Sequence, residues 1–250
     1  MRNIKLTLEY DGTGFRGFQR QPRLRTVQGV LEERFSQVLR EPVKVIGAGR
    51  TDAGVHAAGQ VANFGTTRPV PIERLAGVLN AALPSDVKVQ RCEVVGEGFH
   101  ARRSARSRRY AYAVIERDCP SPLLGRFALI SPMKLSDERM AEAAAGLVGR
   151  HDFRVFQAAG SETRTTERTL MRLECSRRGE RITITAEADS FLYQMVRLMV
   201  GGLLAVGRGE LPPGALRAAL ESGERPSGAK GPAPACGLCL MQVSYEDGSA

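Results

Sequence analysis

The spacing of apolar residues predicts alternating strands and helices in the N-terminal part of the chain. Apolar and polar residues alternate in "NIKLTLEY", as they do in a half-buried strand. Over 27–39 the apolar residues recur at helical spacing behind Thr26, the expected N-cap. Further segments predict strands at 43–47, 60–66 and 87–95 and a helix at 71–83 with Pro71 in its first turn. The predicted order is β-α-β-β-α-β, the ferredoxin-like unit.

The second part of the chain repeats much of this pattern. The periodicity predicts a strand at 108–115, a helix at 136–148 capped by Ser136, a hairpin at 169–188, helices at 191–206 and 212–222, and a closing strand at 237–245. We therefore expect an α+β protein with two ferredoxin-like halves, residues 1–104 and 105–250. The halves are expected to join through a mostly antiparallel sheet with helices on one face.

Length and composition are those of a soluble globular protein. The chain has 250 residues, of which 42% are apolar and 25% are charged. "MRNIKLTLEY" lacks the apolar core of a signal peptide. The most apolar run, 191–206, carries Gln194 and Arg197 and falls short of the roughly 20 residues that a membrane span needs. We therefore expect a buried helix there and a cytoplasmic protein that does not bind membranes.

The five cysteines define neither a disulfide framework nor a zinc site. Their number is odd, and no framework spacing is present. Cys236 and Cys239 form a CxxC pair without the two further ligands that a structural zinc ion needs. We interpret all five as reduced thiols, which are usual in the cytoplasm.

The charge of the chain favours a polyanionic partner. The formal net charge is +9, the pI is about 9.7, and Arg far outnumbers Lys. The arginines cluster at 102–109, 164–172 and 177–181, and the planar guanidinium suits phosphates and stacks on bases. A solubilising surface or an Arg-rich codon usage would give the same counts. The combination of clusters nevertheless favours nucleic acid.

The stretch "GAGRTDAGVH", 47–56, places charged groups among small residues and has several interpretations. It follows a strand, but a dinucleotide-binding fingerprint would need Gly where Asp52 stands. A carboxylate there would repel a pyrophosphate. A metal site using Asp52, His56 and one of His100 or His151 lacks a further cluster of ligands. We therefore expect no metal.

A lone catalytic carboxylate is the remaining interpretation of this stretch. Asp52 lies between two predicted strands, Arg50 and Thr51 can position it, and its small neighbours leave room for a bulky ligand. An Asp next to Arg stays ionised, because the opposite charge favours the charged form. The ionised form is the one that a nucleophile or base needs. A plain Asp-Gly type of turn is the structural alternative.

The same stretch resembles a known family signature. "GRTDAGVHAAGQV" is similar to the signature of the TruA-type tRNA pseudouridine synthases, the tRNA pseudouridine synthase A family. "YDGTGFRGFQRQP", "FHARRSARSRRYAY", "HDFRVF", "FLYQMVR" and "GLCLMQVSY" resemble further motifs of that family, so the resemblance covers nearly the whole chain. Two positions depart from it: Phe18 stands where the family often has Trp, and Cys239 where it usually has Tyr. Both departures lie at supporting positions and leave the implied activity unchanged.

The resemblance implies roles for five residues. Asp52 matches the catalytic aspartate, and Tyr110 matches an active-site tyrosine that contacts the target nucleotide. Arg197 matches a basic residue that pairs with the aspartate. Arg50 looks like a residue that grips the target or its phosphate, and Leu238 occupies an apolar position that lines the pocket.

The resemblance also implies the fold and the activity. The expected fold is the pseudouridine synthase fold, and the expected activity is that of a tRNA pseudouridine(38–40) synthase, an isomerase acting on the anticodon stem-loop. The expected protein is a homodimer. Uridine and pseudouridine are isomers, so no cofactor is expected. Asp52 would attack C1′ or remove the 2′ proton, and the sequence leaves both routes open.

Two other function classes remain as alternatives at this point. A non-catalytic RNA-binding protein could use ferredoxin-like sheets, but the chain has 6% aromatic residues and no RNP motif. A nucleotide-binding metabolic enzyme would need a phosphate loop, which the sequence lacks. Convergence of Asp52, Tyr110 and Arg197 on one cleft is the expectation that separates an enzyme from these alternatives.

Overall fold

The computed structural model describes residues 1–160, 163, 165–229 and 231–245. They form two compact units. Unit 1 comprises Met1–Arg106 and the C-terminal residues from Cys239, and unit 2 comprises Ser107–Leu238. The predicted basic cluster 164–172 begins at Arg164, which lies outside the described residues. Within the described ranges, no helix is long and apolar enough to cross a membrane.

Unit 1 has the β-α-β-β-α-β order that the apolar pattern predicts. Its elements are β1 (Arg2–Tyr10), α1 (Val27–Leu39), β2 (Ile46–Gly47), β3 (His56–Thr66), α2 (Ile72–Ala82) and β4 (Val87–Val95). β1 lies between β3 and β4 and pairs antiparallel with both. β2 adds antiparallel to the other edge of β3. This part of the predicted fold is confirmed.

The core of unit 1 lies on one face of its sheet. Ile4 on β1 pairs with Phe64 on β3, so the two side chains lie on the same face. The ring of Phe64 is 5.5 Å from that of Phe35 on α1, and α2 packs against α1 and β4. Both helices therefore cover the same face, and all three of these residues are buried.

The segment 43–47 is a strand only at its end. The backbone N–H of Val45 donates to Oε1 of buried Glu32 at 3.1 Å, and that of Val43 donates to Oγ of Ser36 at 2.9 Å. Side chains of α1 thus take the place of a strand partner. The predicted five-residue strand is therefore wrong in length. Alternation of apolar residues indicates which side chains are buried, but not whether the backbone N–H groups bond to a strand or to side chains of a helix.

Unit 2 is built on four antiparallel strands. Its elements are β5 (Ser107–Glu116), β6 (Leu129–Ser131), α3 (Asp137–Ala145), β7 (Gly149–Asp152), β8 (Glu167–Arg178), β9 (Arg181–Ala188), α4 (Met195–Gly207) and α5 (Ala215–Ser222). The strands pair antiparallel in the order β5-β9-β8-β7. β6 pairs parallel with β5. The α+β class with mostly antiparallel strands is confirmed.

Several helix boundaries follow the predicted signals and others do not: the helix predicted at 136–148 ends at Ala145, and the helix predicted at 212–222 begins at Ala215. Oγ1 of Thr26 accepts from the N–H of Gly29, and Oγ of Ser136 accepts from that of Arg139, so both predicted N-caps are confirmed. The apolar run 191–206 becomes helical only at Met195, because Gln194 has a φ of 57°. β6 and β7 were not predicted, since three- and four-residue strands are too short to show alternation.

The last strand, β10 (Leu238–Ser244), returns the chain to unit 1. Cys239 and Leu240 pair parallel with His56 and Ala57 at the start of β3. The predicted halves placed all of 105–250 together, whereas the compact units group the residues from Cys239 with the N-terminal unit. Gly59 permits this approach, because a Cβ there would lie 2.3 Å from the carbonyl oxygen of Met241.

Candidate active site

The loop between β2 and β3, residues 48–55, carries the predicted catalytic residue. The carbonyl oxygen of Asp52 accepts from the N–H of Val55 at 3.2 Å, and Gly54 between them has a φ of 79°. This four-residue turn needs a positive φ at its third position, which glycine supplies without strain. Asp52 is half-buried and Arg50 is exposed. The turn therefore presents a partly accessible carboxylate.

Three buried polar side chains, those of Tyr10, Thr51 and Gln60, form a hydrogen-bond network that supports this loop. The hydroxyl of Tyr10 lies 2.8 Å from Oγ1 of Thr51, and Nε2 of Gln60 donates to the carbonyl of Gly49 at 2.9 Å. Nε2 of Gln60 is also 3.4 Å from the Tyr10 hydroxyl. The relative exposures of Tyr10, Thr51 and Gln60 are 3%, 6% and 0%. The network therefore ties β1 and β3 to the loop out of reach of solvent.

The "YDGTGFRGF" motif supports the loop through backbone contacts. The N–H of Phe18 donates to the carbonyl of Thr51 at 3.0 Å, and the N–H of Gly54 donates to the carbonyl of Phe15 at 3.3 Å. Gly17 has a φ of 93°, and a Cβ there would lie 2.9 Å from the Thr51 carbonyl oxygen. Glycine is thus required for the close approach. Two motifs that are separate in sequence form one piece of structure.

Tyr110 lies on β5 of unit 2. Its ring centroid is 5.3 Å from that of Phe191, with the planes at 86° in an edge-to-face arrangement. Such pairs stabilise beyond simple burial and hold the ring orientation. Tyr110 is buried and pairs with Ala186 of β9 in the sheet. A phenol held in this way can offer a flat apolar surface and a hydroxyl to a bound base.

Arg197 lies in the first turn of α4 and is tied to the segment that precedes β10. Its Nε donates to the carbonyl of Ala233 at 2.8 Å, and its own carbonyl accepts from the N–H of Ala233 at 2.9 Å. Leu238 is buried at the first position of β10. Next to it, a Cβ on Gly237 would lie 2.6 Å from the ring of Tyr112. The two hydrogen bonds between Arg197 and Ala233 hold Arg197 in place within unit 2.

The five predicted site residues are divided between the units. Asp52 and Arg50 share one loop of unit 1, whereas Tyr110, Arg197 and Leu238 belong to unit 2. The predicted pairing of Arg197 with Asp52, and the convergence of these residues on one cleft, stay predictions. Within the described ranges, His, Cys, Asp and Glu side chains form no group of three that could hold a metal ion.

The arginine clusters contain both exposed and paired residues. In the cluster 102–109, Arg103 is exposed in the turn that ends unit 1. Arg108, by contrast, donates to the carbonyl of Asp189 at 2.6 Å, and Nε of Arg109 lies 2.8 Å from Glu187. In the last cluster, Arg177 pairs with buried Glu116. A count of arginines along the chain therefore overstates the positive charge open to a nucleic acid.

The sequence interpretation missed Tyr10 and Gln60 as parts of the site. Both lie within the quoted motifs, and both have a detectable signal. Tyr10 continues the inward alternation of Ile4, Leu6 and Leu8 on β1, and this pattern indicates a buried hydroxyl. Gln60 and Asn63 are the two polar residues in the mainly apolar run 60–64 of β3. Buried polar groups need partners, and that rule points to the backbone of the nearby loop.

Comparison with known proteins identifies the class of this protein. The family model described as tRNA pseudouridine synthase matches residues 7–102 and 143–246. The chain is 41% identical to tRNA pseudouridine synthase A 2 of Clostridium perfringens, over 98% of this chain and 100% of that protein. It is 44% identical to tRNA pseudouridine synthase A of Paramagnetospirillum magneticum, over 98% of this chain and 96% of that protein.

A solved Cbf5–Nop10–Gar1 complex also aligns with the chain. The identity is 11% and the TM-score is 0.38, over 97% of this chain and 60% of that one. A similarity this low carries no argument about the site. The family match and the relatives at 41% and 44% identity are decisive: the chain belongs to the tRNA pseudouridine synthase family, isomerases that convert uridine to pseudouridine in tRNA.

Proposed function

We propose that this protein forms pseudouridine at positions 38–40 in the anticodon stem-loop of tRNA, with Asp52 as the reacting carboxylate. One observation carries the role of Asp52. Its half-buried side chain stands on a turn whose neighbouring backbone is held by the buried Tyr10, Thr51 and Gln60. A turn that only reverses the chain does not need such support from two strands. A carboxylate that must meet one sugar carbon does.

The reaction is an isomerisation, and one carboxylate suffices for it. The N1–C1′ bond breaks, the uracil turns, and C5 bonds to C1′. C5 then loses its proton and N1 gains one, so atoms and electrons balance without a cofactor. Asp52 either attacks C1′ or removes the 2′ proton, and both routes use an ionised carboxylate beside a sugar that becomes positive. Full activity in EDTA is the expected result of a metal-chelation test on refolded tRNA.

The remaining site residues are assigned supporting roles. The Tyr110 ring stacks on the target base, and its hydroxyl is placed to take part in proton transfer at C5. Arg197 pairs with the carboxylate of Asp52. Arg50, exposed beside the carboxylate, binds the target phosphate, and Leu238 contributes an apolar wall. Arg197→Met should lower activity sharply while the side-chain stem continues to pack.

The substrate must be distorted to reach this site. A base inside a stem has to be extruded before its sugar can meet a carboxylate, and exposed arginines such as Arg103 can hold the backbone meanwhile. We propose that the protein acts as a homodimer whose subunits share one tRNA, since two-fold symmetry would extend the basic surface. Sedimentation with and without tRNA tests this proposal. A monomer that is fully active at every concentration would contradict it.

Position mapping tests the proposed function. The wild-type protein is incubated with an unmodified tRNA transcript, and pseudouridine is located by chemical labelling and primer extension. We expect label at positions 38–40 only, and none when those uridines are replaced by cytidine. Pseudouridine elsewhere in the tRNA would overturn the anticodon assignment. Tight RNA binding without any isomerisation would favour the non-catalytic alternative.

A further inference from the structure

We propose that Tyr10 is a positioning residue for catalysis: through Thr51, its buried hydroxyl holds the Asp52 loop in the reactive position. This inference rests on the proposed role of Asp52. Tyr10 stands at the end of β1, and its hydroxyl lies 2.8 Å from Oγ1 of Thr51 in the loop. Its described contacts are with protein groups, namely Thr51, Gln60 and the rings of Phe15 and Phe18, so the role proposed here is indirect.

The chemistry of the groups fixes the direction of the contact between Gln60 and Tyr10. Nε2 of Gln60 can only donate, so the Tyr10 oxygen is the acceptor in their 3.4 Å contact. The Tyr10 proton is then available to Oγ1 of Thr51. Burial raises the pKa of Tyr10 to about 12, so the phenol keeps this proton throughout the neutral range. The network therefore links Gln60, Tyr10 and Thr51, and either hydroxyl can be the donor between Tyr10 and Thr51.

The hydrogen bonding of Gln60 indicates that the network positions the loop and does not maximise the stability of the fold. Its Oε1 is buried and has no hydrogen-bond partner among the described residues. Leaving a buried acceptor unpaired destabilises a fold, and an apolar side chain of similar size would avoid that cost. The other end of the amide, however, donates to the carbonyl of Gly49. The Gln60 oxygen is thus left without a described partner, while the Gln60 nitrogen holds the loop backbone at Gly49.

The consequence for Asp52 is a backbone fixed on its N-terminal side. Gly49 is held at its carbonyl by Gln60, and Thr51 is held at its side chain by Tyr10 and at its carbonyl by the N–H of Phe18. These attachments flank Arg50 and end one residue before the carboxylate. A shift of the order of 1 Å in a reacting group can reduce the rate about a hundredfold. Loss of the Tyr10 hydroxyl frees the only attachment made by the Thr51 side chain among the described hydrogen bonds.

The test compares two tyrosine-to-phenylalanine variants in unit 1. Tyr10→Phe removes the hydroxyl and leaves the ring, which packs against Phe15 and Phe18. Tyr245→Phe is the matched control, because it also removes one hydroxyl, here bonded to the carbonyl of Ala101 at 2.8 Å. Single-turnover rate, tRNA Kd and Tm are measured for both. We expect Tyr10→Phe to lose about ten- to hundredfold in rate with an unchanged Kd, and Tyr245→Phe to keep the wild-type rate.

A second pair of variants keeps the test decisive if Tyr10→Phe folds poorly. Thr51→Val removes the hydroxyl at nearly constant shape, and Thr51→Ser restores a hydroxyl on a smaller side chain. We expect the rate to fall in Thr51→Val and to recover in Thr51→Ser. Equal rates for the Val and Ser variants would overturn the inference, as would a wild-type rate in Tyr10→Phe.

Asp52→Asn, measured in the same series, separates this inference from the proposed function. If Asp52→Asn is inactive and Tyr10→Phe has the wild-type rate, only the positioning role is wrong. If Asp52→Asn is active, the assignment of the carboxylate itself is wrong. An increase in Kd for Tyr10→Phe that accounts for all of its lost activity also contradicts positioning, since it would place the effect in binding.

Discussion

Each unit contains a polar cluster, fully buried in unit 1 and built around buried Glu116 in unit 2, and the two clusters differ in charge. In unit 1, Tyr10 and its two partners are neutral and attach to a loop. In unit 2, Arg177 donates to both carboxylate oxygens of Glu116 at 2.9 and 3.0 Å and to Asp137 at 2.6 Å. Neutral hydrogen bonds fix a loop without adding a charge beside the carboxylate that we propose as the reacting group. Ion pairs bind elements more strongly but respond to pH.

The position of the charged cluster explains its role. Glu116 ends β5, Arg177 lies near the end of β8, and Asp137 opens α3. Oε1 of Glu116 also accepts from the N–H of Leu135 at 2.7 Å. One buried carboxylate thus joins two strands to the segment that leads into a helix. We conclude that this cluster serves cohesion, whereas the cluster in unit 1 serves the position of a loop.

Removal of the Arg177 guanidinium is expected to have the largest effect on the free energy of unfolding. Arg177→Met leaves buried Glu116 with Lys134 and the Leu135 N–H as its described partners. Because Arg177 is partly exposed, we expect a loss of about 1–2 kcal/mol, below the ~3 kcal/mol of a fully buried pair. Chemical denaturation at neutral pH measures the free energy of unfolding. The comparison predicts that the single-turnover rate of the folded variant stays at the wild-type value. A stable variant with a reduced rate would show that the charged cluster serves the site after all.

The next largest effect is expected in the dependence of Tm on acidic pH, to which the cluster of unit 2 contributes and the cluster of unit 1 does not. The Arg177 guanidinium lowers the pKa of Glu116, so the stabilisation is complete above about pH 4.3, the ordinary Glu value. It is lost as the pH falls through the lower folded value. We expect Glu116→Gln to flatten the decrease in Tm below about pH 4.3, whereas Tyr10→Phe keeps the wild-type slope. Equal slopes for Glu116→Gln and the wild type would contradict this account.

The salt dependence of tRNA binding gives the smallest expected effect and tests the arginines. Arg103 is exposed, so Arg103→Ala should reduce the slope of log K against log salt by about 0.9, one phosphate contact. Arg172→Ala is the control, because Arg172 pairs with Glu174 at 2.6 Å. We expect its slope to stay near the wild-type value. A larger change in the control than in Arg103→Ala would show that pairing does not predict availability.

Much of the fold could be predicted from the sequence, because its signals are local. Alternation located β1, β8 and β9, helical spacing located α1 and α3, and Thr26 and Ser136 marked two helix starts. The length of β2 could not be predicted, since it depends on a carboxylate of α1 that bonds to Val45. The grouping of β10 with unit 1 was also not predicted, because the sequence of one strand does not specify the strand with which it pairs.

The candidate site was predicted in its chemistry but not in its support. Asp52 stood out as a charge among small residues, and the family resemblance assigned it a role. The part played by Tyr10 and Gln60 depends on contacts across 41 and 11 positions of the sequence. No periodicity reports such contacts. The pairing of Arg108 and Arg109 with partners on and after β9 was hidden for the same reason.

The rate of pseudouridine formation by Asp52→Asn tests the central claim most directly. The substitution is nearly isosteric and lies on an accessible turn, so the Tm and the tRNA Kd should stay close to the wild-type values. A single-turnover assay on an unmodified tRNA transcript should show a loss of more than about a thousandfold, as expected when a reacting group is removed. Pseudouridine formation at the wild-type rate by this variant would contradict the account.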